Sequence, residues 1–311
     1  MEGIAKSNIA ILSQAITLCE SDLPKHQELA DDIIDSLPIR SVNSIRIGIT
    51  GTPGVGKSTF IESFGLHLCS IGKKVAVLAV DPSSEVSGGS ILGDKTRMEQ
   101  LVREPNAFIR PTPSAGNLGG VAKKTKDTIT LCEAADFDVI LIETVGVGQS
   151  ETEVQNMTDY FVLMVLPGGG DELQGIKKGI VEISDLILIN KADGEHYNSA
   201  LMTQKEYKTA NHYSKKQIEI LLISALESKG IENVWQIIEH KTNENKNNGF
   251  FNSKRQNQLQ ISTEQIILDS LIQKLQESEK YKSILKSVAL EIKSKGKLSR
   301  KELKERILGI I

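Results

Sequence analysis

From Ser44 onward the chain alternates short apolar runs with longer stretches whose apolar residues recur at helical spacing. The runs are IRIGIT, KKVAVLAVD, AFIRP, DVILIE, YFVLMVLP, LILIN and EILLIS. Near-continuous apolar runs are what strands buried on both faces look like. Their alternation with helical stretches predicts an α/β fold, a mostly parallel sheet flanked by crossover helices on both faces. Ahead of this region, Ile9, Leu12 and Ile16, then Leu29, Ile33, Ile34 and Leu37, keep a helical period that breaks at Asp22-Leu23-Pro24. That pattern predicts two helices packing on the main domain. Behind it the composition changes after Trp235. Residues 241–256, KTNENKNNGFFNSKRQ, are polar and breaker-rich and predict a loop or linker. Ser262-Thr263-Glu264-Gln265 and Ser299-Arg300-Lys301-Glu302 each predict a helix start through a capping box, with Ile266, Ile267, Leu271 and Leu275 as one apolar stripe. The expected organisation is an N-terminal helical extension (1–40), an α/β domain (41–240), and a linker with a C-terminal helical region (241–311).

Composition narrows the partners. With 37 basic and 40 acidic residues, a net charge of −3, the chain lacks the basic footprint that wrapping nucleic acid requires. Cys19, Cys69 and Cys132 are far apart and form no metal-ligand spacing, so they read as reduced packing residues in a reducing compartment. The first residues lack a leader pattern, and no apolar run approaches the ~18 residues of a membrane span. A cytoplasmic location with no membrane partner is the expectation. His26, His67, His196, His212 and His240 fall into no metal-ligand pattern.

The first apolar run turns abruptly into GTPGVGKST: Gly51, Thr52, Pro53, Gly54, Val55, Gly56, Lys57, Ser58, Thr59. Gly51, Gly56, Lys57 and Ser58 satisfy G-x-x-x-x-G-K-[ST] between a predicted strand and a predicted helix, the context a phosphate-binding loop requires. Glycines let backbone N–H groups turn inward around phosphates, and the helix N-terminus adds its dipole. Lys57 reaches the β/γ oxygens from a solvated site, and the Ser58 hydroxyl is a ligand for Mg²⁺.

The nucleotide is read further on. Asn190-Lys191-Ala192-Asp193 follows the strand LILI, where an α/β fold places ligand contacts. A carboxylate there accepts two hydrogen bonds from the N1–H and amino group of guanine, a pair adenine does not offer. Ser224-Ala225-Leu226, after EILLI, could add a backbone contact to the guanine oxygen. Taken alone, NKAD is also an ordinary polar turn; downstream of a phosphate loop, in this order, it points to GTP and GDP.

Glu143 ends FDVILIE and precedes Thr144-Val145-Gly146-Val147-Gly148-Gln149-Ser150. It stands where such proteins put an acidic residue on the Mg²⁺ side, and Gly146 could give its N–H to the γ-phosphate. The alternative for Glu143 is a helix cap. Asp81 and Asp94 are further oxygen donors toward the same sheet edge, Asp94 alternatively capping a helix near Lys95. Lys57, Glu143 and Asp94 are thus the candidates for the hydrolytic chemistry, and Ser58, Asp81, Asp94 and Glu143 for Mg²⁺. Pro167-Gly168-Gly169-Gly170-Asp171-Glu172, with Gln174, Lys177 and Lys178, is either a plain loop or an element that reports nucleotide state. Val147 occupies the position where many GTPases orient water with glutamine; Gln149 lies nearby, and Arg97 reads equally as a phosphate contact or a surface ion pair.

With these residues assembled, the chain closely resembles the MeaB/ArgK group of P-loop GTPases. The resemblance rests on GTPGVGKST, LAVDPSSEVSGGSILGDKTRM, RPTPSAGNLGGVA, ETVGVGQSE, LPGGGDELQGIKKGI and NKAD, spread from Gly51 to Asp193. It implies a homodimeric GTPase chaperone of an adenosylcobalamin-dependent acyl-CoA mutase, above all methylmalonyl-CoA mutase, that gates cofactor loading and protects the mutase from inactivation. It also implies that Lys57, Ser58, Asp81, Asp94 and Glu143 serve phosphates and Mg²⁺, with Asn190, Lys191 and Asp193 at guanine. GGGDELQGIKK would signal to the mutase and the tail would carry dimerisation. An older label for the same family, an ATPase or kinase of lysine/arginine/ornithine transport, predicts adenine specificity, against which NKAD speaks. A nickel-enzyme metallochaperone would need a His/Cys cluster, and the sequence shows none.

Overall fold

The computed structural model describes residues 4, 8–37, 43–81, 98–113, 118–144, 149–168, 178–212, 216–295 and 299–308. The helical pair comes first, α1 (Ile9–Glu20) and α2 (Pro24–Asp35). Asn8 Oδ1 accepts from the N–H groups of Ala10 and Ile11 and so caps α1. Pro24 opens α2 at a position where a missing N–H costs nothing.

The apolar runs become seven strands: β1 (Ile45–Gly51), β2 (Val75–Asp81), β3 (Ala107–Pro113), β4 (Val139–Thr144), β5 (Tyr160–Val165), β6 (Leu186–Ile189) and β7 (Glu219–Leu222). They form one sheet in the order β3-β2-β4-β1-β5-β6-β7, and every pairing is parallel. β3, at one edge, contains Pro111 and Pro113, which have no N–H to offer a further strand.

Strand alternation sends Ile47, Ile49, Val77, Leu141, Val162 and Met164 to one face. There they meet Phe60, Phe64 and Leu68 of α3 (Lys57–Ser70) and Trp235 and Ile238 of α8 (Ile231–Asn247). The other face buries Leu78, Ile140, Ile142 and Phe161 against α1, α2, α4 (Leu118–Ala134) and α5 (Gln149–Gln155). Leu163, Val165, Ile187 and Ile189 pack on α7 (Tyr197–His212), and α6 (Lys178–Ile183) joins β5 to β6. The expected doubly covered parallel sheet is the fold found.

Charged pairs tie the N-terminal helices down as well: Arg110 on β3 pairs with Glu20, and Lys124 of α4 with Asp22 at 2.6 Å. Beside them, burial pushes the Asp127 carboxyl up to about 6, an effect opposed by Lys123, reinforced by Asp31 and opposed by Lys126. A carboxyl whose folded value exceeds its ordinary 3.8 leaves the fold most stable below that pH, and the advantage is lost as pH rises through about 6. Asp127→Asn should therefore raise stability near pH 7.5 by up to about 2–3 kcal/mol. It should also flatten the slope of stability between pH 4 and 6.5 in thermal melts; an unchanged slope would assign the pH dependence elsewhere.

The polar stretch after Trp235 is not a loop. α8 runs on through Asn247, and α9 spans Phe250–Glu277, leaving only Asn248 and Gly249 between them. Buried Val234, Trp235, Ile238 and Thr242 give α8 its inner stripe, so the lysines and asparagines that suggested a loop are its solvent face. Asn248 Oδ1 accepts from the Phe250 N–H and starts α9. Ser262-Thr263-Glu264-Gln265 opens nothing: it lies inside α9, and the Thr263 hydroxyl donates back to the Leu259 carbonyl. At the second predicted start a helix does begin, α11 (Arg300–Leu308), just after Ser299, whose carbonyl accepts from the Leu303 N–H.

The first turns of α9 grip the amino ends of the strands. Arg255 donates to both Asp159 oxygens, to Glu133 and to the Ser44 carbonyl, and Arg46 forms a two-point pair with the same Glu133. The two arginines hold Glu133 below the usual carboxylate range despite its burial. Contacts divide the chain into residues 1–258 and 259–311. The second unit holds the rest of α9, α10 (Glu279–Lys295) and α11, and leaves Leu268, Leu271, Ile272, Leu285 and Leu290 about half exposed or more.

Candidate nucleotide site

The site lies at the carboxyl ends of the central strands, where the strand order switches sides at β1: β2, β3 and β4 lie on one side of it and β5, β6 and β7 on the other. Residues 52–56 arch from β1 to the N-terminus of α3. Gly56 has φ +96°, and a Cβ there would lie 2.6 Å from Asn190 Nδ2, so only glycine lets this loop close on its neighbour. Lys57 is buried and its ammonium donates to the Gly51 carbonyl at 2.8 Å and the Thr52 carbonyl at 3.3 Å. It is thus enclosed by its own loop rather than pointing into open solvent as the sequence suggested.

Asn190 is the hinge pin of the site. Its amide donates to the Val55 carbonyl at 2.8 Å and its Oδ1 accepts from the Ala225 N–H at 3.0 Å. One side chain thereby spans the phosphate loop, the end of β6 and the segment after β7. Lys191 reaches back to the Gly54 carbonyl at 3.0 Å. Asp193 is engaged by the Ser224 hydroxyl, which also accepts from the Glu227 N–H. That contact orients the carboxylate. Leu226, in the same segment after β7 as Ser224, is 83% exposed.

Ser58 Oγ donates to Glu143 Oε1 at 3.2 Å, so a hydroxyl and a carboxylate converge at the N-terminus of α3. Two hard oxygen donors at a phosphate loop suit Mg²⁺, which takes few protein carboxylates and keeps most of its waters. The Thr52 hydroxyl, in the arch itself, is buried with no hydrogen-bond partner among the described residues. An orphaned donor within the loop is compatible with an incoming oxyanion; the motif does not specify position 52, and only its burial singles it out.

Asp81 is the last residue of β2, paired by its backbone with Pro113, and ends at the same sheet edge. Asp94, Gly146 and Arg97, and the segment from Gly169 to Lys177, lie outside the described residues. Pro53 and Thr59 take their expected places in the arch and on the first turn of α3. Among the described residues no three or more His, Cys, Asp and Glu side chains gather as a metal site of their own, and no helix is long and apolar enough to cross a membrane.

The family described as methylmalonyl-CoA mutase-associated GTPase MeaB matches residues 12–280. GTPase ArgK of Escherichia coli (strain K12) is 52% identical over 239 residues, covering 75% of this chain and 72% of that one. The mitochondrial methylmalonic aciduria type A homolog of Mus musculus is 43% identical over 286 residues, covering 87% and 69%. A crystal structure of a LAO/AO transport system kinase superposes with TM-score 0.77 at 35% identity, covering 99% of this chain and 95% of that one.

Proposed function

The chain belongs to the MeaB family of methylmalonyl-CoA mutase-associated GTPases, and from that premise we propose that it is a GTP-timed chaperone of a cobalamin-dependent acyl-CoA mutase, most directly methylmalonyl-CoA mutase. In this reading it gates adenosylcobalamin loading and guards the mutase against inactivation. The observation that carries guanine recognition is the Asp193 carboxylate, oriented by Ser224 and joined to the phosphate loop through Asn190. An adenine-specific transport ATPase, the alternative, would set that carboxylate against a base edge that does not offer its pair of donors.

Hydrolysis proceeds by in-line attack of water on the γ-phosphate, with positioning and charge stabilisation supplying the catalysis. The arch of residues 51–56 presents backbone N–H groups, Lys57 neutralises charge on the β/γ oxygens, and Asn190 keeps loop and base site in register. Ser58 and Glu143, with Asp81 and Asp94 as further donors, would hold Mg²⁺, which neutralises the charge that develops on the phosphates. Valine at position 147 supplies no water-orienting group, so turnover without the mutase is slow. The partly exposed Leu268, Leu271, Ile272, Leu285 and Leu290 of residues 259–311 support a homodimerisation role for the C-terminal helices.

The test is GTP turnover and cobalamin transfer with and without the organism's own mutase. The mutase should accelerate hydrolysis, and its affinity for the GTP and GDP forms should differ about 5- to 150-fold, a factor that must reappear in nucleotide affinity. If nucleotide affects neither mutase binding nor transfer, the chaperone reading is lost while the GTPase stands.

A further inference from the structure

We propose that the cavity at the amino ends of β5, β6 and β7 is a binding site for a small aliphatic amine in its ammonium form. The cavity measures about 990 Å³ and lies between these strand ends, α8 and the first turns of α9. The phosphate loop and the base-reading carboxylate lie at the other, carboxyl ends of the strands. No residue of the nucleotide site lines the cavity, so the inference stands apart from the GTPase reading.

Tyr160 is the residue that asks for a ligand. It belongs to the apolar cluster beneath α8 and is only 5% exposed, yet it lines the cavity, and its hydroxyl has no hydrogen-bond partner among the described residues. Buried hydroxyls are ordinarily bonded. Burial first, then Asp185, Glu219 and Glu244, push this phenol well above its ordinary value, and no cation offsets them there. The three carboxylates come from the start of β6, the start of β7 and α8, so three elements direct negative charge toward one hydroxyl. A neutral phenol in that field offers its lone pairs, and the donor such a field selects is a cation.

The other charges of the cavity are already matched. Asp185 accepts from Lys216 at 2.6 Å and from the Phe161 N–H at 2.9 Å, and Glu244 pairs with Lys241 at 2.7 Å. Asp159 is held by Arg255, and Lys254 donates to the Asp159 carbonyl at 2.7 Å. Glu219 is exposed and has no ionic partner among the described residues. One positive charge carrying N–H donors would complete the set by donating to Tyr160 Oη and pairing with Glu219. A metal ion does not fit, because among the described residues no three or more His, Cys, Asp and Glu side chains gather as a metal site. An organic ammonium needs no such convergence: its N–H groups reach separate acceptors, and its stem can lie on Ile237 and the exposed Phe250 of the cavity wall.

The experiment is titration of the full-length protein with n-butylammonium chloride, followed by amide NMR shifts. The shifts should centre on Tyr160, Asp185 and Glu219 and saturate with a Kd of about 1 mM, a fitting affinity for so small a ligand. Tyr160→Phe keeps the ring and removes the acceptor; it should raise Kd about tenfold. Glu219→Gln, at an exposed position where folding is not at stake, should raise it by about the same factor. Tetramethylammonium chloride carries the charge without an N–H and should bind at least about tenfold more weakly, which separates recognition from ionic strength. Absence of saturable shifts at these amides would overturn the proposal, as would equal binding of tetramethylammonium or an unchanged Kd in either variant. Sodium acetate producing the same shifts would make this an anion site at Lys254 and overturn it as well.

Discussion

Lys57→Ala is expected to lower the rate of GTP hydrolysis about 100- to 1,000-fold, the loss typical when one charged or polar stabiliser of a developing anion is removed. The ammonium already lies within the loop, bonded to the Gly51 and Thr52 carbonyls, so it needs little reorganisation to meet a phosphate oxygen. Those same bonds make the substitution a structural one too. Two carbonyls lose a donor, and thermal stability should fall by about 1–2 kcal/mol, well below the loss of transition-state stabilisation. Single-turnover rates and melts of the same preparation separate the two effects. Turnover that survives the substitution would mean that the loop does not hold the γ-phosphate.

Asp193→Asn should weaken GDP and GTP binding about 100-fold or more and improve binding of the xanthosine nucleotides. In the proposed site the carboxylate would accept from both guanine donors, and losing two charge-assisted bonds while placing an amide N–H against a donor would cost about 3 kcal/mol. Xanthine has a carbonyl where guanine has its amino group, so the new amide N–H meets an acceptor. Ser224 can still donate to the carbonyl oxygen of the new side-chain amide, which keeps that side chain oriented and makes the exchange a test of chemistry rather than of folding. Competition of labelled GDP with GTP, ATP and XTP reads the result in both proteins. ATP displacing GDP from the original protein as well as GTP does would remove the guanine assignment and favour the transport-ATPase reading.

Asp193 is legible in the linear sequence, and so is most of the architecture. A parallel strand buried on both faces must be apolar along its whole length, so the seven strands announce themselves locally, from IRIGIT to EILLIS. Pro24 and Gly56 are likewise local: each is required by the dihedral angles at its own position. GKST and NKAD are visible because the chemistry of phosphate and guanine demands particular atoms at a fixed spacing on one loop.

Composition failed where polarity has two causes. Residues 241–256 are polar, as loops are, yet they form the ends of two helices, because the few apolar positions that matter, Trp235 and Ile238 before them and Phe251 within them, face inward. The capping pattern at Ser262 misled for a related reason: a hydroxyl can cap a helix or bond within one, and the neighbouring turns decide which. Arg255 was hidden altogether, since its partners Asp159 and Glu133 lie 96 and 122 residues away.

Sequence alone determined the sheet and the phosphate-loop motif and proposed the NKAD loop for the base, since each is written in consecutive residues whose side chains or dihedrals act in place. Tertiary structure decided that Lys57 is enclosed by its own loop, that Asn190 joins three segments, and that Ser58 meets Glu143. Each of these is a hydrogen bond between groups brought together by the crossovers of a parallel sheet, and a bond of that kind leaves no period or spacing along the chain from which it could be read.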